Sequence, residues 1–154
     1  MSANDRDLLF KTLNKSSLDE ILGIENDVHL SPWSEQKFLT CFTDDLYLQK
    51  GLYEKNSLVG YAVLLVNPPE AELHNIAISR AYQNRGLGTI FLNYLVDICA
   101  NMGLEKIFLE VGESNTAAIG VYQKSGFIQV GIRKHYYQSE TLTESALLFM
   151  LEID

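Results

Sequence analysis

Two periods divide this chain. Leu18, Ile21, Leu22 and Ile24 form an apolar stripe at helical spacing that runs to about Val28, with Ser17 and Glu20 placed as a capping box at its start. After the Pro32-Trp33 break, Ser34 to about Phe42 predicts a second short helix. The period then falls to two. Leu46 to Tyr53 and Leu58 to Val66 read as strands joined at Lys55-Asn56; Asn67-Pro68-Pro69 makes a second turn, and Leu73 to Ile78 follows as the next strand of a meander. Asp7 to Thr12 predicts a short first strand ahead of them.

Beyond Ile78 the elements alternate. Leu87, Ile90, Phe91, Tyr94, Leu95 and Ile98 recur at helical spacing, and Asn101-Met102-Gly103 closes that helix with a glycine C-cap. Lys106 to Val111 predicts a short strand, Asn115 to Ser125 a helix closed by Gly126, and Phe127 to about Arg133 and Ala146 to Ile153 two further strands. A meander followed by alternation implies a mixed, mostly antiparallel sheet with helices on both faces, in the α+β or mixed α/β class. No internal repeat, low-complexity tract or linker interrupts the pattern, so residues 1–154 are read as one domain with its own core.

Composition narrows the function classes. The apolar runs are shorter than the ~20 residues a bilayer requires, and Met1 to Phe10 holds no apolar signal segment, which predicts a cytoplasmic protein without a membrane partner. A formal net charge of −8 argues against direct nucleic-acid binding, which needs a lysine- and arginine-rich face. It suits a cationic substrate, although the same charge also serves solubility alone. Cys41 and Cys99 lack Cys-x-x-Cys spacing and are read as buried free thiols. His29, His74 and His135 form no metal-spaced set, so no metal is expected.

The most informative stretch is Gln83-Asn84-Arg85-Gly86-Leu87-Gly88, between the Leu73 to Ile78 strand and a helix. Glycines there remove the Cβ atoms that would hold an anion away from backbone N–H groups, and the helix start offers unpaired N–H groups at the positive end of its dipole. A pyrophosphate fits such a loop; a flexible turn is the plainer alternative. The pattern is neither a dinucleotide fingerprint nor a Walker loop. It resembles the acetyl-CoA loop Gln/Arg-x-x-Gly-x-Gly/Ala of the GCN5-related N-acetyltransferase (GNAT) family. Leu109-Glu110-Val111, Ser114-Asn115 and Ala118-Ile119-Gly120-Val121-Tyr122 through Ser125-Gly126-Phe127 are similar to the distal half of that fold, in the same order. Pro32-Trp33-Ser34-Glu35, Asn75-Ile76-Ala77-Ile78 and Ile132-Arg133-Lys134-His135-Tyr136-Tyr137 resemble the RimI-like branch, whose members acetylate the N-terminal alanine of a small-subunit ribosomal protein.

That resemblance implies roles for particular residues. Acetyl-CoA is expected along the backbones of Ile76, Ala77 and Ile78, at the loop Gln83, Asn84, Arg85, Gly86, Leu87, Gly88 and Thr89, and at Asn115, which by itself is also a good helix N-cap. Glu110 matches the family's strand-end base, acting directly or through water, and burial beside Leu109 and Val111 is expected to tune it; an exposed strand-end carboxylate is the alternative. Tyr122, seven residues past Asn115 and able to share its side of the helix, matches the acid that protonates the departing thiolate, with a packed core aromatic as its alternative. Trp33, Tyr136 and Tyr137 match the acceptor slot, and neither cysteine fits a covalent acyl carrier, so direct transfer is expected.

The expected acceptor is the basic N-terminal segment of a ribosomal protein. Gly112 stands where the family usually has arginine, His135 where asparagine is common, and Ser145 where a late acidic residue is usual, all around the peptide. Two other readings stay open: an acetyltransferase of a small amine or lysine side chain, and a catalytically silent acetyl-CoA-binding module.

Overall fold

The structure is a computed structural model that describes residues 7–138 and 143–153, with side chains up to Lys134 and from Glu144 onward. In chain order the elements are β1 (Leu8–Thr12), α1 (Leu18–Val28), α2 (Glu35–Thr43), β2 (Tyr47–Glu54), β3 (Ser57–Asn67), β4 (Glu70–Ile78), α3 (Leu87–Asn101), β5 (Lys106–Gly112), α4 (Thr116–Lys124), β6 (Ile128–Gln138) and β7 (Thr143–Glu152). Single 3-10 turns, Lys15–Ser17 and Arg80–Tyr82, lead into α1 and follow β4. The strands form one seven-stranded sheet in the order β1-β2-β3-β4-β5-β7-β6. Its β1–β2, β2–β3, β5–β7 and β6–β7 pairs are antiparallel and β4–β5 is parallel, which is the mixed sheet the sequence predicts. By contacts the chain falls into two compact units, one holding residues up to Val66 and His74–Phe91, the other Asn67–Leu73 and the chain from Leu92 onward.

In the first unit, β3 is buried along nearly its whole length, as a central strand covered on both sides must be. Tyr61 and Val63 point to one face, where they join Leu18, Ile21 and Ile24 of α1 and Phe38 and Cys41 of α2 in a single apolar cluster. Phe38 is fully buried, a contribution of about 1.5–3 kcal/mol for a side chain of this size. Gly60 faces the other way. A Cβ there would stand 2.8 Å from Ile78 Cδ1 and 3.6 Å from Phe91 Cδ2, so the glycine lets β4 and the start of α3 close on β3.

The predicted capping box at α1 is not what forms. Ser17 makes no side-chain cap bond; the chain enters through the 3-10 turn, and the Asn14 side chain accepts from the Ser16 N–H at 2.9 Å. Ser34 does cap α2, accepting from the Lys37 N–H at 3.2 Å. β4 starts at Glu70, ahead of the predicted Leu73, because Ala71 extends the buried series Ala71, Leu73, Asn75 and Ala77.

In the second unit, β5 pairs with β4 from Glu70–Lys106 to Leu73–Leu109 and with β7 from Lys106–Glu152 to Gly112–Ala146. Both helices end as their glycines foretell. Gly103 and Gly126 have φ of +76° and +99°, and in each case the residue after glycine donates its N–H back to the helix, Leu104 to Cys99 O at 3.1 Å and Phe127 to Tyr122 O at 3.0 Å. Cys99 is fully buried and continues the stripe at i+4 from Leu95.

Candidate functional site

The first unit carries the glycine loop. Gly86 has φ +77° and Asn84 φ +63°, left-handed conformations that glycine and asparagine adopt most readily. Nothing lies within 4 Å of where a Cβ would stand at Gly86 or Gly88, so the loop is an open cradle. The first helical bond runs from Ile90 N–H to Gly86 O at 3.2 Å, which leaves the Leu87, Gly88 and Thr89 N–H groups at the helix start without an intrahelical acceptor. A phosphate fits those donors. Leu87 is buried, so its part can only be its backbone. The Gln83 amide donates to Ile78 O at 2.9 Å and thereby ties the loop to the end of β4, joining two of the predicted coenzyme segments. The Arg85 guanidinium stands 5.3 Å from the Tyr82 ring centroid, held over its face. Ile76 and Ile78 are half-buried and Ala77 is buried.

Trp33 lies in the same unit and is anchored on one side. Its ring packs against Phe38 with centroids 5.1 Å apart, and the Lys37 ammonium sits 4.2 Å from its centroid. Sequence reasoning missed the group beneath it. Glu25 is buried at 1% exposure, and its carboxylate accepts from the Trp33 N–H at 2.9 Å, the Asn75 amide at 2.9 Å and the Tyr61 hydroxyl. Burial first, then the bond to this carboxylate, pushes the Tyr61 phenol far above its ordinary pKa, so it remains a donor. The signal was present in the sequence, since Glu25 stands at i+4 from Ile21 and i+7 from Leu18, on the apolar stripe itself.

The second unit carries the predicted base and acid. Along β5 the buried residues are Ile107, Leu109 and Val111, while Glu110 alternates with them and is 31% exposed. The expected burial of Glu110 by Leu109 and Val111 therefore fails, because neighbours in a strand point to opposite faces. Glu110 instead meets a cation that sequence reasoning missed, with Arg133 Nη2 3.1 Å from Oε1. Tyr122 is buried, its ring packed on Phe127 and Phe149 with centroids 5.9 and 6.4 Å away. Phe149 is opposite Leu109 in the ladder, so Tyr122 packs on the face that Glu110 turns away from.

Asn115 is exposed at the N-cap of α4 and accepts from the Ala118 N–H at 3.2 Å; it does not share Tyr122's buried side, because a cap residue stands outside the helical rotation. Tyr136 and Tyr137 belong to β6, with Tyr137 opposite Glu144, and their side chains lie outside the described residues. Gly112 has a local reason, since a Cβ there would meet Glu144 Oε1 at 2.1 Å, and the same carboxylate accepts from Ser114 N–H at 3.3 Å. Ser145 is buried; its carbonyl accepts from the Glu113 N–H at 3.0 Å, and its own N–H donates to the Glu113 carboxylate at 3.1 Å. Cys41 and Cys99 are free and buried, and burial pushes the Cys99 thiol up to about 11, out of reach of acyl transfer at neutral pH.

The profile of the Acetyltransferase (GNAT) family matches residues 17–127. The chain is 34% identical over 142 residues to a protein of Escherichia coli strain K12 named [ribosomal protein bS18]-alanine N-acetyltransferase, covering 92% of this chain and 95% of the relative. A crystal structure of the ribosomal-protein-S18-alanine N-acetyltransferase from Escherichia coli aligns with a TM-score of 0.91 at 33% identity, over 96% of this chain and 94% of that one. Arabidopsis thaliana NAA60 in complex with acetyl-CoA aligns with a TM-score of 0.86 at 15% identity over 95% and 98%, which shows a common fold.

Proposed function

We propose, for a chain that belongs to the GNAT family of acetyltransferases, that it transfers acetyl from acetyl-CoA to the N-terminal α-amine of a ribosomal protein beginning with alanine. The observation that carries this reading is the near full-length likeness to relatives named for that acceptor.

The proposed chemistry follows from what each unit offers. A free α-amine has a pKa of about 7.7–8.0 and must lose its proton before it attacks. Glu110, one-third exposed at the end of β5, takes that proton directly or through a water. The amine nitrogen then bonds to the thioester carbonyl carbon, the C–S bond breaks, and the Tyr122 hydroxyl gives a proton to the leaving thiolate. In the first unit, Gly86, Gly88 and the Leu87 to Thr89 N–H groups cradle the coenzyme phosphates, with Gln83, Asn84 and Arg85 around them. In that unit the backbones of Ile76, Ala77 and Ile78 serve the coenzyme arm and Trp33 the acceptor; in the second unit the Asn115 amide serves the coenzyme arm, and Tyr136 and Tyr137 the acceptor. The inert thiols favour transfer without an acyl-cysteine intermediate.

The test is incubation with acetyl-CoA and a panel of peptides, read by mass spectrometry. The expected product is an alanine-first peptide acetylated on its α-amine. Acetylation of only an α-blocked peptide on lysine, or of polyamines, would replace this reading with a different acceptor class, and no product from any amine would leave a coenzyme-binding module.

A further inference from the structure

We propose that Glu25 is a positioning residue for acceptor capture, fixing the segment between α1 and α2 against β3 and β4 through one buried carboxylate. The proposal rests on the reading of Trp33 as an acceptor contact. Its basis is an energetic oddity in the first unit. Burying a carboxylate costs several kcal/mol unless donors compensate, and a leucine at this position would extend the Leu18, Ile21 and Ile24 stripe without that cost. What the carboxylate holds explains its presence. Oε2 accepts the Trp33 N–H, while Oε1 accepts from the Asn75 amide and the Tyr61 hydroxyl, so three elements converge on one side chain.

The segment it holds has little other main-chain support. Leu30 is 99% exposed and Pro32 offers no N–H, so between the His29 N–H bond to Glu25 O that closes α1 and the Ser34 carbonyl that opens α2, the Trp33 N–H supplies the tie to the core. Asn75 immediately precedes the Ile76 to Ile78 backbone proposed for the coenzyme arm. Two residues beyond Glu25, Asp27 pairs with Arg80 at 3.3 Å, at the 3-10 turn that leads to the glycine loop. The last turn of α1 thus touches both the segment proposed for the acceptor and the strand proposed for the coenzyme. Glu25 itself touches neither reactant; it acts through Trp33.

Trp33 is the only tryptophan in the chain, so its emission reports this segment directly. Glu25→Leu should raise peptide KM by about tenfold, more than it raises acetyl-CoA KM through the loosened Asn75, and make Trp33 emission more accessible to acrylamide. Glu25→Gln should fall between that variant and wild type, because the amide keeps one oxygen for the Trp33 N–H while Tyr61 and Asn75 reorient. If the leucine variant does not fold, hydrogen exchange on wild type still decides: the Trp33 amide should exchange at least ~100-fold more slowly than that of Ser31. A Trp33 amide exchanging as fast as Ser31, or a folded leucine variant with unchanged quenching and peptide KM, overturns the proposal. A wild-type protein that acetylates no peptide removes the acceptor reading by itself, whereas exchange and quenching test the Glu25 anchor without any turnover.

Discussion

Glu110 and Tyr122 show how differently a polar group sits when its strand or helix turns it outward or inward. Glu110 is one-third exposed and paired with the half-exposed Arg133, an ion pair worth no more than about 1 kcal/mol. Replacing Glu110 with glutamine should therefore leave thermal stability within ~1 kcal/mol while lowering kcat by roughly 10²-fold or more, with acetyl-CoA affinity nearly intact. Tyr122 is a core aromatic as well as the proposed acid. Tyr122→Phe keeps the contacts to Phe127 and Phe149 and should reduce turnover with little loss of stability, whereas Tyr122→Ala should cost about 3–5 kcal/mol. Single-turnover rates beside thermal melts check all three variants. Full activity in folded Glu110→Gln and Tyr122→Phe would remove both roles.

At the scale of elements, glycines with different backbone angles separate binding from folding. Gly88 lies in the first turn of α3 with open space around its missing Cβ. Gly88→Ala should leave the protein as stable as before, or up to ~1 kcal/mol more stable through helix propensity, while the added methyl weakens acetyl-CoA binding. Gly126 is the opposite case. Its φ of +99° and a would-be Cβ 3.3 Å from Leu151 Cδ1 belong to the end of α4, so Gly126→Ala should lose about 1–3 kcal/mol of stability with coenzyme affinity nearly unchanged in the folded protein. Calorimetric titration and melting curves of the two variants should show these effects crossing. Undiminished affinity in Gly88→Ala would mean that the phosphates bind elsewhere.

For the molecule as a whole, the net charge of −8 is the property that reaches furthest. The carboxylates of Glu110 and Glu144 are already engaged, the first with Arg133 and the second with the Ser114 N–H, so attraction of a basic peptide rests on the summed field. An alanine-first peptide with several arginines should show an apparent KM that rises with salt more steeply than that of a neutral analogue, since screening over ~8 Å at physiological ionic strength removes long-range steering. Kinetics of both peptides at low and moderate salt measure this, and an equal response would eliminate steering as a source of affinity.

Local sequence determined what depends on neighbours along the chain. The period change at Leu46, the glycine stops at Gly103 and Gly126, and the open loop at Gly86 and Gly88 all rest on backbone conformations or side-chain alternation that a short window contains. The α1 entrance shows the limit even there, because the chain enters through a 3-10 turn whose start Asn14 caps, and Ser17 makes no cap bond of its own. Partners distant in sequence were decided by tertiary structure alone. Arg133 reaches Glu110 only once β6 and β5 flank β7, and Glu144 covers Gly112 only through the β5–β7 register. Glu25 was visible as a charge on an apolar stripe, with His29 one turn on at 3.5 Å, but its three hydrogen-bond donors come from the segment after α1, from β3 and from β4, brought together by packing. Periodicity states which side of an element a residue occupies; what stands on that side is set by how the elements fold against one another.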